Sequence, residues 1–137
     1  MKKSEFQFKN PTLLKLDYRV NFENIKDNFE VEIKNKMDVE IISNNDNISS
    51  PCAVKLSISV NPEKNKDDLF NLDLDIVALF EWDQKSISND DAKKLLNINS
   101  PALLLSYARP IIANITQQSG LPPYNIPFVN FTENEQI

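Results

Sequence analysis

Between Phe6 and Trp82 the chain alternates apolar and polar residues, and this period of two constrains the fold more than any other feature. Phe6 and Phe8 stand against Glu5, Gln7 and Lys9. Leu14, Leu16, Tyr18, Val20 and Phe22 stand against Lys15, Asp17, Arg19, Asn21 and Glu23. Successive side chains of an extended chain point to opposite faces, so the pattern predicts strands with one apolar face. Phe29, Val31 and Ile33 repeat it, and the phase continues through Lys36-Met37-Asp38, with room for a bulge, to Val39 and Ile41. Cys52, Val54, Leu56, Ile58 and Val60 form the next run, and Leu72, Leu74, Ile76, Ala78, Phe80 and Trp82 the last. The links at 43–47 and 61–68 are short and rich in Asn and Asp, which tolerate left-handed backbone. Short links favour antiparallel neighbours. The expectation is an antiparallel meander of about four strands over roughly residues 4–82. On the other face of the last run, Asp73 and Asp75 give way to Val77 and Leu79, which predicts cover there by a partner subunit or a ligand.

At Ser88 the period changes. Ser88 with Asp91 three residues on reads as a helix N-terminus, and a short helix should run through Leu96. Ser100-Pro101 restarts it, with Ser as N-cap and Pro at the first helical position. This second helix carries Leu104, Tyr107, Ala108, Ile111 and Ile115 on one face. It ends at Gly120, the only glycine, with Pro122 and Pro123 beyond. Pro110 should bend it, because proline has no N–H for the Ser106 carbonyl. The predicted fold class is α+β: a four-stranded antiparallel meander with a long, broken helix packed on it, roughly 88–119. A proline-rich loop and short tail, 120–137, complete one domain of 137 residues.

Composition removes most chemistries. Without histidine there is no Ser-His-Asp triad and no imidazole ligand, and one glycine cannot form a phosphate-cradling loop. One cysteine forms neither an intrachain disulfide nor a metal cluster. No catalytic residue, cofactor or metal is therefore expected. A formal charge of −5 disfavours nucleic acid and anionic membranes as partners. No apolar run follows Lys2-Lys3 and none is long enough to span a membrane, so a cytoplasmic protein without membrane insertion is expected.

From Leu95 to Thr132 there are 38 residues and one charge, Arg109; at the chain's 26% charged composition about ten would be expected. The helix in this stretch is apolar around most of its circumference, so one side can pack on the sheet while another requires a second subunit or a client. The loop from Leu121 to Phe131 is aromatic, uncharged and stiffened by prolines, as suits a groove wall. Core plus oligomer interface is the simpler account of such a stretch, and a binding groove the other.

The run Ser100-Pro-Ala-Leu-Leu-Leu-Ser-Tyr-Ala-Arg-Pro-Ile-Ile, then Gly120-Leu-Pro-Pro, then Ile126-Pro-Phe-Val-Asn-Phe131 resembles the SecB export-chaperone family. That family has a similar Pro-x-x-Leu-x-x-Tyr-x-Arg helix, Gly-x-Pro turn and Pro-x-x-Asn-Phe segment. The resemblance implies a four-stranded sheet carrying a long helix, assembled as a dimer of dimers, a homotetramer. It implies an ATP-independent holdase that keeps unfolded client polypeptides soluble and, in export, passes them to the SecA motor. On the matching positions, Leu104, Tyr107 and Ile111 of the helix and Leu121, Tyr124, Ile126 and Phe128 of the loop would border the client groove. Only an acidic stretch from Thr132 to Ile137 follows where the family has a C-terminal helix. Relatives beside toxin–antitoxin pairs make a dedicated antitoxin chaperone the alternative.

Single residues divide between bland and functional readings. Phe80 and Trp82 end the last strand as core or as groove floor. Asp73 and Asp75, about 7 Å apart on one strand face, form a solvated face, a hydrolytic carboxylate pair, or (by the resemblance) a docking patch for a basic tail such as that of SecA, extended by Glu81 and Asp83. Cys52 is a core residue. Arg109 either reaches solvent or pairs with a carboxylate across an interface.

Overall fold

The computed structural model describes residues 4–25, 32–43 and 48–134. Five strands form one antiparallel sheet: β1 (Phe6–Phe8), β2 (Thr12–Val20), β3 (Asn35–Ile42), β4 (Cys52–Val60) and β5 (Phe70–Trp82). A single helical turn, α1 (Phe22–Ile25), follows β2. After the sheet come α2 (Asn89–Lys94), a π-helical turn (Leu95–Asn99), α3 (Ser100–Gln118) and a 3-10 turn (Phe131–Asn134).

The sheet is four strands wide, because β1 and β2 lie end to end along one edge of β5. Phe6–Phe8 pair with Phe80–Trp82 and Thr12–Val20 with Phe70–Val77, and the Lys9 amide donates to the Leu79 carbonyl between them. The order is therefore β1/β2, β5, β4, β3. This corrects the expected meander. β3, β4 and β5 are hairpin neighbours, but β2 sits beside the last strand, as in a Greek key. The connection across residues 21–34 must pass three inter-strand spacings, about 14 Å, which its length allows easily. The reason is burial: β4 and β5 have every core-side residue buried and take the centre, leaving the less protected β2 and β3 at the edges.

Two details of phase also differ. No bulge interrupts Lys36-Met37-Asp38, whose register with β4 is continuous. The strand begins at Asn35, so Ile33 precedes it, while Phe29 and Val31 lie outside the described residues, as do Asn44–Asn47 of the following link. The bulge falls instead in β2, between Leu13 and Lys15. Leu13 thus lies opposite Ile76 on the core side, and Leu14 is the extra residue, 56% exposed.

The helical segment starts as expected: Ser88 is extended and its side chain accepts from the Asp91 amide. It does not restart at Ser100. Ser100 is itself helical, its amide donates to the Leu95 carbonyl five residues back, and its hydroxyl donates to the same group. A π turn thus joins two helices without a cap, immediately before the N–H that Pro101 lacks. At the other end Gly120, with φ +82°, closes a Schellman motif, its amide donating to Gln117 and that of Leu121 to Thr116.

The core lies between α3 and the sheet. Leu104, Leu105, Ala108, Ile112 and Thr116 are fully buried, and the first four share a cluster with Leu56, Leu74, Ile76 and Phe80. The buried stripe runs through Ile112 and Thr116, so the expected face containing Tyr107 and Ile111 is rotated. Those two flank the stripe, Ile111 half-buried and Tyr107 exposed.

Candidate functional site

At 100° per residue, Tyr107 and Arg109 project about 200° apart around α3 and so lie on opposite flanks of its buried stripe. Their contacts agree. On one flank the Tyr107 ring meets Phe8 of β1 edge-on, with centroids 6.1 Å apart. On the other, Arg109 Nε donates to the Ile126 carbonyl at 2.8 Å, and its guanidinium lies 4.0 Å from the centre of the Phe128 ring. The proline loop follows that second flank, toward β3. The Tyr124 amide donates to the buried Thr116 hydroxyl at 2.8 Å, and Asn35 Nδ2 donates to the Tyr124 hydroxyl at 2.7 Å. Leu121 and Ile126 are buried beneath it.

Two apolar strips result. One runs beside the β1/β2 edge, through Phe8, Leu13 (41% exposed), Leu16 (36%) and Tyr107 (42%). The other is the outer side of the loop, with Phe128 (67%) and Val129. The nine residues expected around one groove therefore divide. Phe80, Trp82, Leu104, Leu121 and Ile126 stand in the core, Ile111 and Tyr124 are half-buried, and Tyr107 and Phe128 are accessible on different flanks. Phe6 stacks on both Phe80 and Trp82, which covers the strand end that the alternation offers as a groove floor. Phe8, Leu13, Leu16 and Val129 were not singled out in the sequence. Phe8 and Leu16 alternate like any core-facing strand residues, Leu13 reaches that face only through the bulge at Leu14, and nothing local distinguishes a covered strand from an uncovered one. Val129 follows Phe128 within the same uncharged loop, which was the available signal.

Two concavities, of about 420 Å³ at the β4–β5 connection and about 310 Å³ beside Trp82, are lined mostly by charged and polar residues. They share no residue with either strip.

The opposite face of the sheet carries Asp73 and Asp75. Asp73 accepts a hydrogen bond from the Ser59 hydroxyl at 2.7 Å. Asp75 is paired across the ladder with Lys15 on one side and Ser57 on the other. Lys55 forms an ion pair with Glu40 at 3.0 Å; hydrogen bonding and the charge of Glu40, then the charge of Asp75, hold its ammonium pKa above the usual lysine value. This face is a mixed ion-pair lattice with an apolar row of Ile42, Ala53 and Leu79 at one end. Glu81 lies on the same side, near Lys9, whereas Asp83 is past the end of β5 and accepts from the Lys85 amide. Cys52 is buried and desolvation pushes its thiol pKa up, the opposite of what a nucleophile needs.

Among the described residues the partners of Arg109 are a carbonyl and an aromatic ring of the proline loop. No helix among the described residues is long and apolar enough to cross a membrane.

The sequence model of the preprotein translocase subunit SecB family matches residues 17–134. The protein-export protein SecB of Orientia tsutsugamushi (strain Boryong) is 29% identical over 119 residues, covering 83% of this chain and 73% of that protein. The SecB of Dinoroseobacter shibae is 25% identical over 118 residues, covering 82% and 67%. In fold the chain is similar to a SecB-like chaperone of Mycobacterium tuberculosis solved with a ChAD peptide from the HigA1 antitoxin, with a TM-score of 0.62, 17% identity, and coverage of 92% of this chain and 88% of that one. With the family match spanning the end of β2, strands β3 to β5, the long helix and the proline loop, this chain belongs to the SecB family.

Proposed function

We propose that this protein is an ATP-independent holdase that binds non-native polypeptides on the two apolar strips flanking α3. The observation that carries this reading is the exposure of large apolar side chains on rigid elements: Phe8, Leu13 and Leu16 on hydrogen-bonded strands, Phe128 on a loop tethered through Arg109, Thr116 and Tyr124. Unfolded chains offer apolar segments without a fixed sequence, so their receptor needs area and shape rather than reactive groups. Covering about 400 Å² of apolar client surface is worth on the order of 10 kcal/mol before ordering costs, which cancel much of it. Several such surfaces in a homotetramer would add avidity along one client. The protein acts without catalysis, in the cytoplasm, and its ion-pair face around Asp73 and Asp75 receives a basic segment of a handover partner such as SecA.

The test is light scattering from a chemically unfolded model protein with and without this chain, no nucleotide present, together with the native mass of the assembly. Suppression at near-stoichiometric ratio by a species near four times 15.7 kDa is expected. A monomer that leaves aggregation unchanged would sink the proposal. The second reading is a chaperone dedicated to one antitoxin, favoured by the likeness in fold to the chaperone solved with an antitoxin peptide. Recovery of a single partner in pull-downs, with weak action on generic clients, would select it.

A further inference from the structure

We infer that Arg109 is a positioning residue: it holds the proline-rich loop on α3 and fixes the Phe128 ring as a client-contacting surface. The inference rests on the holdase reading for its consequence, but the clamp is a property of this chain alone. Arg109 is the single charge in 38 residues, so its retention in an otherwise uncharged stretch calls for a specific partner. It has two, both on the same loop. Nε donates to the carbonyl of Ile126, which is fully buried, and the guanidinium lies against the Phe128 ring two residues later. A planar guanidinium can do both at once, since its Nε–H lies in plane while its face stacks on an aromatic ring. One ring face is thereby occupied, and the side chain nevertheless remains 67% exposed, so the other face is offered outward at low residual entropy.

The loop has a second anchor upstream, where Thr116 accepts from the Tyr124 amide and Asn35 donates to the Tyr124 hydroxyl. Among the described residues, Arg109 provides the side-chain tether at Ile126 and Phe128, beyond Tyr124. Its loss should therefore loosen the stretch between Tyr124 and the buried Phe131 while leaving the Thr116 end in place.

The experiment combines amide exchange with binding to reduced, carboxymethylated α-lactalbumin, a permanently unfolded chain, using the full-length protein. Arg109→Ala should raise exchange at the amide of Ile126, a residue buried in the parent, about tenfold or more without changing that of Leu104–Thr116, and weaken client binding about five- to tenfold. In a Phe128→Ala background the same substitution should weaken binding no further. Arg109→Lys keeps a cation but lacks the Nε donor in that geometry, and should fall between Arg and Ala in both measurements. Unchanged loop exchange in Arg109→Ala overturns the clamp, and additive losses in the double variant overturn its action through Phe128. Should Arg109→Ala fail to fold, Arg109→Lys decides by the same exchange measurement, where wild-type protection would overturn the clamp. Failure of the wild-type chain to bind the client would remove the holdase reading, with loop exchange still deciding the clamp.

Discussion

β2 and β5 are hydrogen-bonded neighbours written in the same alternating pattern, yet one is buried and the other is not. Every core-side residue of β5 from Phe70 to Trp82 is buried, whereas Leu13 and Leu16 of β2 remain well exposed and Tyr18 and Val20 are half-buried. Geometry explains the difference. A helix with its side chains is about 10–12 Å across, and strands lie about 4.8 Å apart, so one helix covers about two strands. α3 packs on β4 and β5. β2 lies one spacing beyond that cover. An alternating pattern therefore tells which face of a strand is apolar, and the neighbour above it decides whether that face is buried or exposed.

The sharpest way to break the comparison is to delete one residue from each strand. Removing Asp75 from β5 turns every later side chain to the wrong face, putting Ile76, Ala78 and Phe80 outside, and should abolish cooperative unfolding. Removing Leu14 only deletes the bulge, because Leu13 opposite Ile76 and Lys15 opposite Asp75 then follow in register. That variant should keep a cooperative urea transition, within about 2 kcal/mol of the parent. Loss of folding in the Leu14 deletion would mean that the bulge itself is required.

Smaller effects should come from truncation. Leu74→Ala, at a fully buried site, should cost about 2–5 kcal/mol, and Leu16→Ala, at an exposed one on the same face, under about 1 kcal/mol, both read from urea midpoints. A cost for Leu16→Ala above about 2 kcal/mol that varies with protein concentration would show the β2 strip covered by a second subunit. The smallest effect concerns the Tyr18 hydroxyl on β2, buried without a hydrogen-bond partner among the described residues. Tyr18→Phe removes that unsatisfied group and should be neutral or stabilising by up to about 1 kcal/mol, whereas a loss of stability or of assembly would reveal a partner supplied by another chain.

Much of the fold could be read from the residues. The strand runs at Cys52–Val60 and Leu72–Trp82, the N-cap at Ser88 and the stop at Gly120 all depend on local rules: period, capping oxygen and left-handed backbone. The candidate site was less legible. Of the residues expected at one groove, Tyr107 and Phe128 are exposed, whereas Leu104 and Ile126 stand in the core. An apolar side chain in a charge-poor helix looks the same whether it points into the core or along a flank. A shift of one residue, from Ile111 to Ile112, changes its direction by about 100°. Arg109 was noticed as the lone charge, while its partners 17 and 19 residues away follow only from the path of the loop.

By itself, the sequence determined the element types, the apolar face of the strands and the two ends of the helical segment, because these depend on residues within a few positions of one another. It also ruled out most common catalytic chemistries through the missing histidine and the single glycine and cysteine. The tertiary structure alone decided that β2 crosses to β5, that the bulge falls at Leu14, and which flank of α3 each exposed aromatic occupies. These depend on pairings such as Phe6 with Trp82, far apart in the chain, where burial of whole strands outweighs the cost of the longer connection.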